Sequence, residues 1–294
     1  MKHFTISDVE HYSGIKAHTL RIWEQRNGIP RPQRINGHAR SYTLTEFNLI
    51  LNIAVLNKSG IKISHLSRLS ESALLIELKH LENCESKYRL AVNELIIAMF
   101  TMDTGQFEII LDKCFTVWPT HTVFNQVIYC FLKMTGLLWQ GSRLTEEHLV
   151  VTILRKKLLW GIENAGSTFS VSNRVLLFLP DTKQLDLGLL YMQYHLRYHG
   201  MQVIYMGNDV SISNLKVASE NIKPDYYYTY LSRQNKFDLD SLGTYLHVHF
   251  PGIKLMVTAP DAIINSLHSN IIQKTFDEAM LYFYNLQQAQ PQAV

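Results

Sequence analysis

Thr19-Leu20-Arg21-Ile22-Trp23-Glu24 and, after a Pro-containing link, Arg34-Ile35-Asn36-Gly37-His38-Ala39-Arg40-Ser41-Tyr42 decide how the chain is read. In the first stretch Ile15, Thr19, Leu20 and Trp23 recur at helical spacing and bury one stripe, which leaves Lys16, His18, Arg21 and Gln25 facing outward. Upstream, Thr5-Ile6-Ser7-Asp8 is a capping box that starts a short helix running to about Tyr12, and Ser13-Gly14-Ile15 forms a tight turn. Two short helices joined by a glycine-containing turn are the physical form of a helix-turn-helix, whose second helix enters a major groove. In the second stretch Asn36-Gly37 suits a two-residue hairpin turn, so a basic β-wing follows. Arg34 and Arg40 flank that turn, and Tyr42 adds a phenolic donor, a set able to lie along a sugar-phosphate backbone. The candidate DNA contacts are Lys16, His18, Thr19, Arg21, Arg34, Arg40 and Tyr42.

Charge distribution agrees with this head. Residues 1–70 hold ten Lys/Arg against four Asp/Glu, and the remainder eighteen against twenty-one, so +6 on the head faces −3 on the body. A basic face gains affinity for a polyanion by displacing counterions from phosphates, which makes double-stranded promoter DNA the expected partner of the head alone. The 294 residues, 47% of them hydrophobic, suffice for two or three packed cores. No apolar run reaches the roughly 18 residues of a membrane span. The opening residues also lack a signal peptide's apolar stretch, so no membrane association is expected and the cytoplasm is the expected compartment. Cys84, Cys114 and Cys130 show neither a disulfide framework nor zinc spacing and read as reduced, mostly core residues.

Beyond the wing, Thr43-Leu44-Thr45-Glu46 is a second capping box. Its helix carries Phe47, Ile50, Leu51, Ala54 and Val55, ends near Gly60, and has Ile61 to Leu69 packed beneath it. From Glu71 to Ala165 the pattern is helical, with segments near 71–82, 86–102, 106–118, 122–139 and 146–164, as in an antiparallel bundle. Past Gly166 the period changes. Val175 to Leu179, Gln202 to Met206, Tyr226 to Leu231 and Lys254 to Val257 are β-rich runs between helical stretches, including a helix over Leu185 to His199. A fifth strand near Asn270 to Lys274 and a last helix over Thr275 to Gln287 complete a parallel, flavodoxin-like sheet, whose ligands would sit at the strands' carboxyl ends. The expected architecture is thus a winged helix-turn-helix over 1–70, a helical bundle over 71–166 and a Rossmann-like sheet over 170–288.

The head closely resembles the MerR family, whose Thr-Leu-Arg-x-Trp-Glu helix and Arg-x-x-Gly-x-x-Arg-x-Tyr wing appear as Thr19 to Glu24 and Arg34 to Tyr42, with Arg26, Gly28, Pro30 and Pro32 between them in the family's order. The resemblance spans about residues 3–69. It implies that Arg21 and its neighbours approach bases and phosphates while Arg40 and Tyr42 hold the wing on the backbone. Lys16 departs from the family's Ser or Thr, which loses a capping oxygen worth roughly 1 kcal/mol and offers an ammonium for phosphate.

The body resembles the cobalamin-binding half of the light-sensing MerR repressors, the CarH-like and LitR-like group. Gly136-Leu137-Leu138-Trp139 is similar to the family's Gly-x-x-Trp, and Glu146-Glu147-His148 to its Glu-His pair, at a shorter spacing. Trp139, Glu147 and His148 are therefore the candidate cap over a ligand or cobalamin. The sheet signature Asp-x-His-x-x-Gly falls on Lys183 to Gly188, where only Gly188 survives. Leu185 stands in the place of the cobalt-ligating histidine and has no lone pair to offer. Thr258-Ala259 replace the Gly-Gly pair that admits the cofactor's nucleotide tail, and Ser232 stands where the family has a Ser or Thr near that tail. Gly188 and Ser232 complete the candidate ligand residues, and apo signalling or a different small molecule is expected ahead of cobalamin.

His195 and His199, one helical turn apart, have no third ligand in view, and His247 with His249 read the same way, so no metal site is expected. No phosphate loop or nucleophile elbow accompanies them, and an enzyme is not expected. The reading is a homodimeric or homotetrameric transcription regulator, a repressor or switch controlled through a C-terminal sensor and oligomerisation module. The alternatives are an adenosylcobalamin-dependent light-sensing repressor and, in another class, a corrinoid-carrying enzyme subunit.

Overall fold

A computed structural model describes residues 2–35, 39–138, 145–166, 173–180, 186–231, 237–259 and 269–288. Contacts divide the chain into two compact units, residues 1–135 and 136–294.

The first unit opens with a short strand, β1 (His3–Thr5), and α1 (Ile6–Ser13). The capping box forms as expected: the Thr5 oxygen accepts from the Asp8 amide and the Asp8 carboxylate accepts from the Thr5 amide. Gly14, at φ +73°, ends the helix in the left-handed region that a Cβ would disfavour. α2 (Ala17–Asn27) buries Leu20 and Trp23, and Gly28 terminates it in the same way at φ +67°. The wing is β2 (Gln33–Ile35) paired antiparallel with β3 (Ala39–Thr43); its Asn36-Gly37 tip lies outside the described residues. α3 (Leu44–Lys58) starts on the second capping box, from Thr43 to Glu46, and α4 (Ile63–Leu66) follows.

The sequence reading did not anticipate β1. It pairs with β3 and makes the hairpin a three-stranded sheet of order β1-β3-β2. Phe4 of β1 and Tyr42 of β3 are cross-strand partners on its inner face, exposed by only 3% and 0%. Phe4 stacks on Phe47 of α3 at 4.1 Å between ring centres, and Phe100 meets both rings edge-on.

Phe100 closes α6 (Cys84–Phe100), which follows α5 (Glu71–Lys79) and precedes α7 (Thr104–Val117), α8 (Thr120–Thr122), a π-helical turn (Val123–Ile128) and α9 (Tyr129–Thr135). The N-terminal head is therefore bound into the helices behind it. Arg89 donates to the Tyr12 carbonyl at 2.7 Å, and the buried Asn93 amide donates to the Leu51 carbonyl at 3.2 Å. Of the three cysteines read as mostly core, Cys114 is buried and Cys130 half-buried. Cys84 is exposed, because it opens α6 where the helix turns to solvent.

The second unit begins with α10 (Thr145–Asn164), which groups with the sheet rather than with the helices that precede it. Alternation then follows: β4 (Arg174–Phe178), α11 (Leu187–Tyr198), β5 (Gln202–Gly207), α12 (Ile212–Asn221), β6 (Tyr226–Tyr230), α13 (Leu239–His249), β7 (Lys254–Thr258), β8 (Ile271–Gln273) and α14 (Phe276–Gln288). The strands pair in the order β5-β4-β6-β7-β8, all parallel, which is the flavodoxin-like order expected. Side chains alternate across the sheet. Leu176, Phe178, Tyr227, Leu255 and Val257 pack under Leu215 of α12 and Leu242 and Leu246 of α13. Tyr228 turns to the other face, against Phe276 and Phe283 of α14.

β6 reads Tyr-Tyr-Tyr-Thr-Tyr and is buried throughout. Buried phenols need partners for their hydroxyls. Tyr227 donates to the Leu215 carbonyl at 2.9 Å and lies 2.8 Å from the Ser219 hydroxyl, and Tyr226 meets Tyr282 at 3.3 Å. No helix among the described residues is long and apolar enough to cross a membrane.

Candidate nucleic-acid interface

α2 presents a polar outer face. His18, Arg21, Gln25 and Arg26 are exposed, with Ile22, 41% exposed, set among them. Lys16, at the helix N-cap, keeps 71% of its side chain exposed, and Thr19 is half-buried with its hydroxyl 3.3 Å from the His18 ring. The sequence reading counted a capping oxygen as lost at Lys16. The structure returns it from elsewhere: the Glu10 carboxylate accepts from the Ala17 amide at 2.9 Å and from the Lys16 ammonium at 3.0 Å. The Ala17 amide, more than the lysine, holds the Glu10 carboxyl below the usual carboxylate range.

The wing cations are placed differently from expectation. Arg34 and Arg40 do not stand free: both reach back to Glu24 of α2, Arg34 Nη2 to Oε1 at 3.0 Å and Arg40 Nε to Oε2 at 2.6 Å. Arg34 remains 48% exposed and Arg40 only 17%. Tyr42 corrects the sequence reading outright. The pairing of β1 on β3 turns its ring inward, burial pushes its phenol up, and it serves the core instead of offering a surface donor. Glu24 escaped notice in the sequence because an acid in a basic head gives no sign of which cations it will meet.

At the carboxyl ends of the parallel strands the candidate ligand residues fare unevenly. Trp139, Leu185 and Ser232 lie outside the described residues. On α10 Glu147 is buried, at 7%, while the adjacent His148 is exposed, since neighbours on a helix point about 100° apart. Gly188 sits at the start of α11, where a Cβ would lie 2.5 Å from the Leu138 carbonyl oxygen and 3.5 Å from the Tyr230 ring. The chain's own backbone occupies the space that the glycine leaves. Beside it Asp186 is gripped by the two terminal guanidinium nitrogens of Arg155 from α10, at 2.6 and 2.5 Å, and accepts from the Tyr205 hydroxyl at 3.0 Å. Thr258, 3% exposed, is hydrogen-bonded to Tyr228 at 3.2 Å. These residues fit a corrinoid poorly: where the resemblance has the glycines beside the nucleotide tail, Thr258 is buried and hydrogen-bonded to Tyr228, the Leu138 carbonyl covers Gly188, and Leu185 replaces the ligating imidazole in the sequence. Among the described residues no group of three His, Cys, Asp or Glu side chains is placed to hold a metal ion.

A helix-turn-helix whose second helix exposes a cationic face, braced by a β-hairpin, defines a winged helix-turn-helix DNA-binding protein. Residues 4–73 match the profile of the MerR HTH family regulatory protein. The chain is 25% identical over 222 residues to the HTH-type transcriptional repressor CarA of Myxococcus xanthus, covering 75% of this chain and 73% of that one. It is 24% identical over 236 residues to the HTH-type transcriptional repressor CarH of the same organism, covering 76% and 77%. Among solved structures it is similar to the Methanosarcina barkeri monomethylamine corrinoid protein, with a TM-score of 0.51 at 13% identity over 65% of this chain and 96% of the other, a likeness of fold. The chain is a DNA-binding transcription regulator with a MerR-type head and a body whose sheet has a cobalamin-binding-type fold.

Proposed function

We propose that this regulator binds a pseudo-palindromic promoter site as a homodimer or homotetramer in the cytoplasm and represses or switches transcription there, with no catalytic role. The outer face of α2 supports this reading most directly: Lys16, His18 and Arg21 are exposed near the wing, with Thr19 half-buried beside them, a set with the charge to meet phosphates and base edges. Repression is the sign of control that the names of the two M. xanthus relatives carry. Two-fold symmetry would present two such heads to successive half-sites.

The body acts in this reading as an oligomerisation and sensor module that does without corrinoid, a reading supported by Leu185 in the place of the ligating imidazole and by Thr258, buried against Tyr228, where the resemblance has a glycine. A small molecule of another class remains open to it. The test is fluorescence anisotropy with a duplex from upstream of the protein's own gene and a scrambled duplex, each at several salt concentrations. The regulator should prefer the first duplex and lose affinity steeply with salt, log K falling by about 0.9 per phosphate contact for each unit of log salt. Equal binding to both duplexes, or binding indifferent to salt, defeats the proposal.

A further inference from the structure

We propose that Glu24 is a positioning residue for DNA recognition, a single carboxylate that locks both strands of the wing to the recognition helix. The inference rests on the DNA-binding reading above and concerns how the two reading elements are held in register.

The head has four acids, and three have other posts: Asp8 and Glu46 complete the two capping boxes, and Glu10 accepts the first amide of α2. The fourth is Glu24. An acid beside a phosphate-binding surface repels the ligand unless cations neutralise it. Glu24 spends one oxygen on each of two guanidiniums. Arg34 and Arg40 are directly opposite each other in the β2–β3 register, so this one side chain grips both strands at once.

The two grips differ. Arg40 is mostly buried and bound through Nε at 2.6 Å, whereas Arg34 is half exposed and bound through one terminal nitrogen at 3.0 Å. A guanidinium has five N–H donors in a planar fork, so Arg34 can add or exchange a phosphate while Arg40 stays in place. Arg40 and Glu24 set the angle of wing to helix, and Arg34 supplies the transferable charge.

The experiment uses the full chain and the two duplexes already named. Glu24→Gln keeps the shape and removes the charge. It should leave binding to the scrambled duplex unchanged or tighter, and lower the promoter-to-scrambled ratio by about tenfold, because register is lost while cations are released. Arg40→Lys, which keeps charge but not the planar fork, should lower the ratio in the same way. The pair Glu24→Gln with Arg40→Lys should be no worse than the weaker single variant, since all three break one contact. Arg34→Ala should instead make the salt slope shallower by about 1 on both duplexes. Circular dichroism and melting temperature confirm that each variant is folded, and Arg40→Lys carries the test if Glu24→Gln is not. The proposal is overturned if the single variants weaken both duplexes by one common factor, or if their effects add in full. A wild-type chain that ignores both duplexes removes the DNA-binding reading itself, and this inference with it.

Discussion

Glu10 shows how one side chain can complete what a neighbour in sequence lacks. Seven residues before the amide it accepts, it closes the open end of α2 that Lys16 leaves without an oxygen. Its folded pKa lies below the free value, so its contribution to stability is present above the unfolded pKa and is lost as pH falls through the lowered folded one. The difference in melting temperature between wild type and Glu10→Gln should therefore be largest near neutrality and shrink on acidification below the usual carboxylate range. A difference that grows with acid contradicts the assignment. On the outer face of the same helix Arg21 and Lys16 separate by role. Arg21→Ala should cost about 1–3 kcal/mol at the preferred site and relax preference at one base pair. Lys16→Ala should weaken all duplexes alike; anisotropy against a panel of single-base variants distinguishes the two outcomes.

At the level of elements, α11 depends on having no side chain at its second residue. Gly188→Ala would drive a methyl onto the Leu138 carbonyl, and backbone yields less readily than a flexible side chain. The substitution should destabilise the second unit by about 1–3 kcal/mol in urea unfolding, and unchanged unfolding would show that the close approach is absent. Helices and strands were largely legible in the sequence because their signals are local: both capping boxes, the 3.6-residue stripe of α2 and the β-rich runs from β4 to β7 lie where those patterns place them. What escaped was short or distant. β1 has three residues, too few for a period, and with it went the burial of Tyr42. The Arg155–Asp186 pair joins positions 31 apart, and the Glu24 grip on the wing spans 10 and 16; no pattern along the chain announces such meetings. The π-helical turn after α8 likewise reads as ordinary helix, since its apolar residues Val123, Phe124, Val127 and Ile128 suit either winding.

For the whole molecule, the MerR-type head and the cobalamin-binding-type sheet belong to one chain whose sheet carries buried side chains, Thr258 against Tyr228, where the resemblance has a glycine. Mixed with hydroxocobalamin or adenosylcobalamin in the dark and desalted, the protein should retain no visible absorbance; stoichiometric retention would contradict the corrinoid-free reading of the body. The tyrosines that line the sheet supply a second measurement. Burial pushes Tyr227 up to about 12 and Tyr226, Tyr228 and Tyr230 higher still. Their folded pKa values are raised, so the stability tied to them is complete below pH 10 and is withdrawn as the solution becomes more alkaline. Phenolate absorbance near the ultraviolet edge should consequently rise in two stages. Surface tyrosines come first, and a cooperative step coincides with loss of secondary structure. The sheet thus carries a built-in colour indicator of its own integrity, one that reports opening of the interior without any added dye or label.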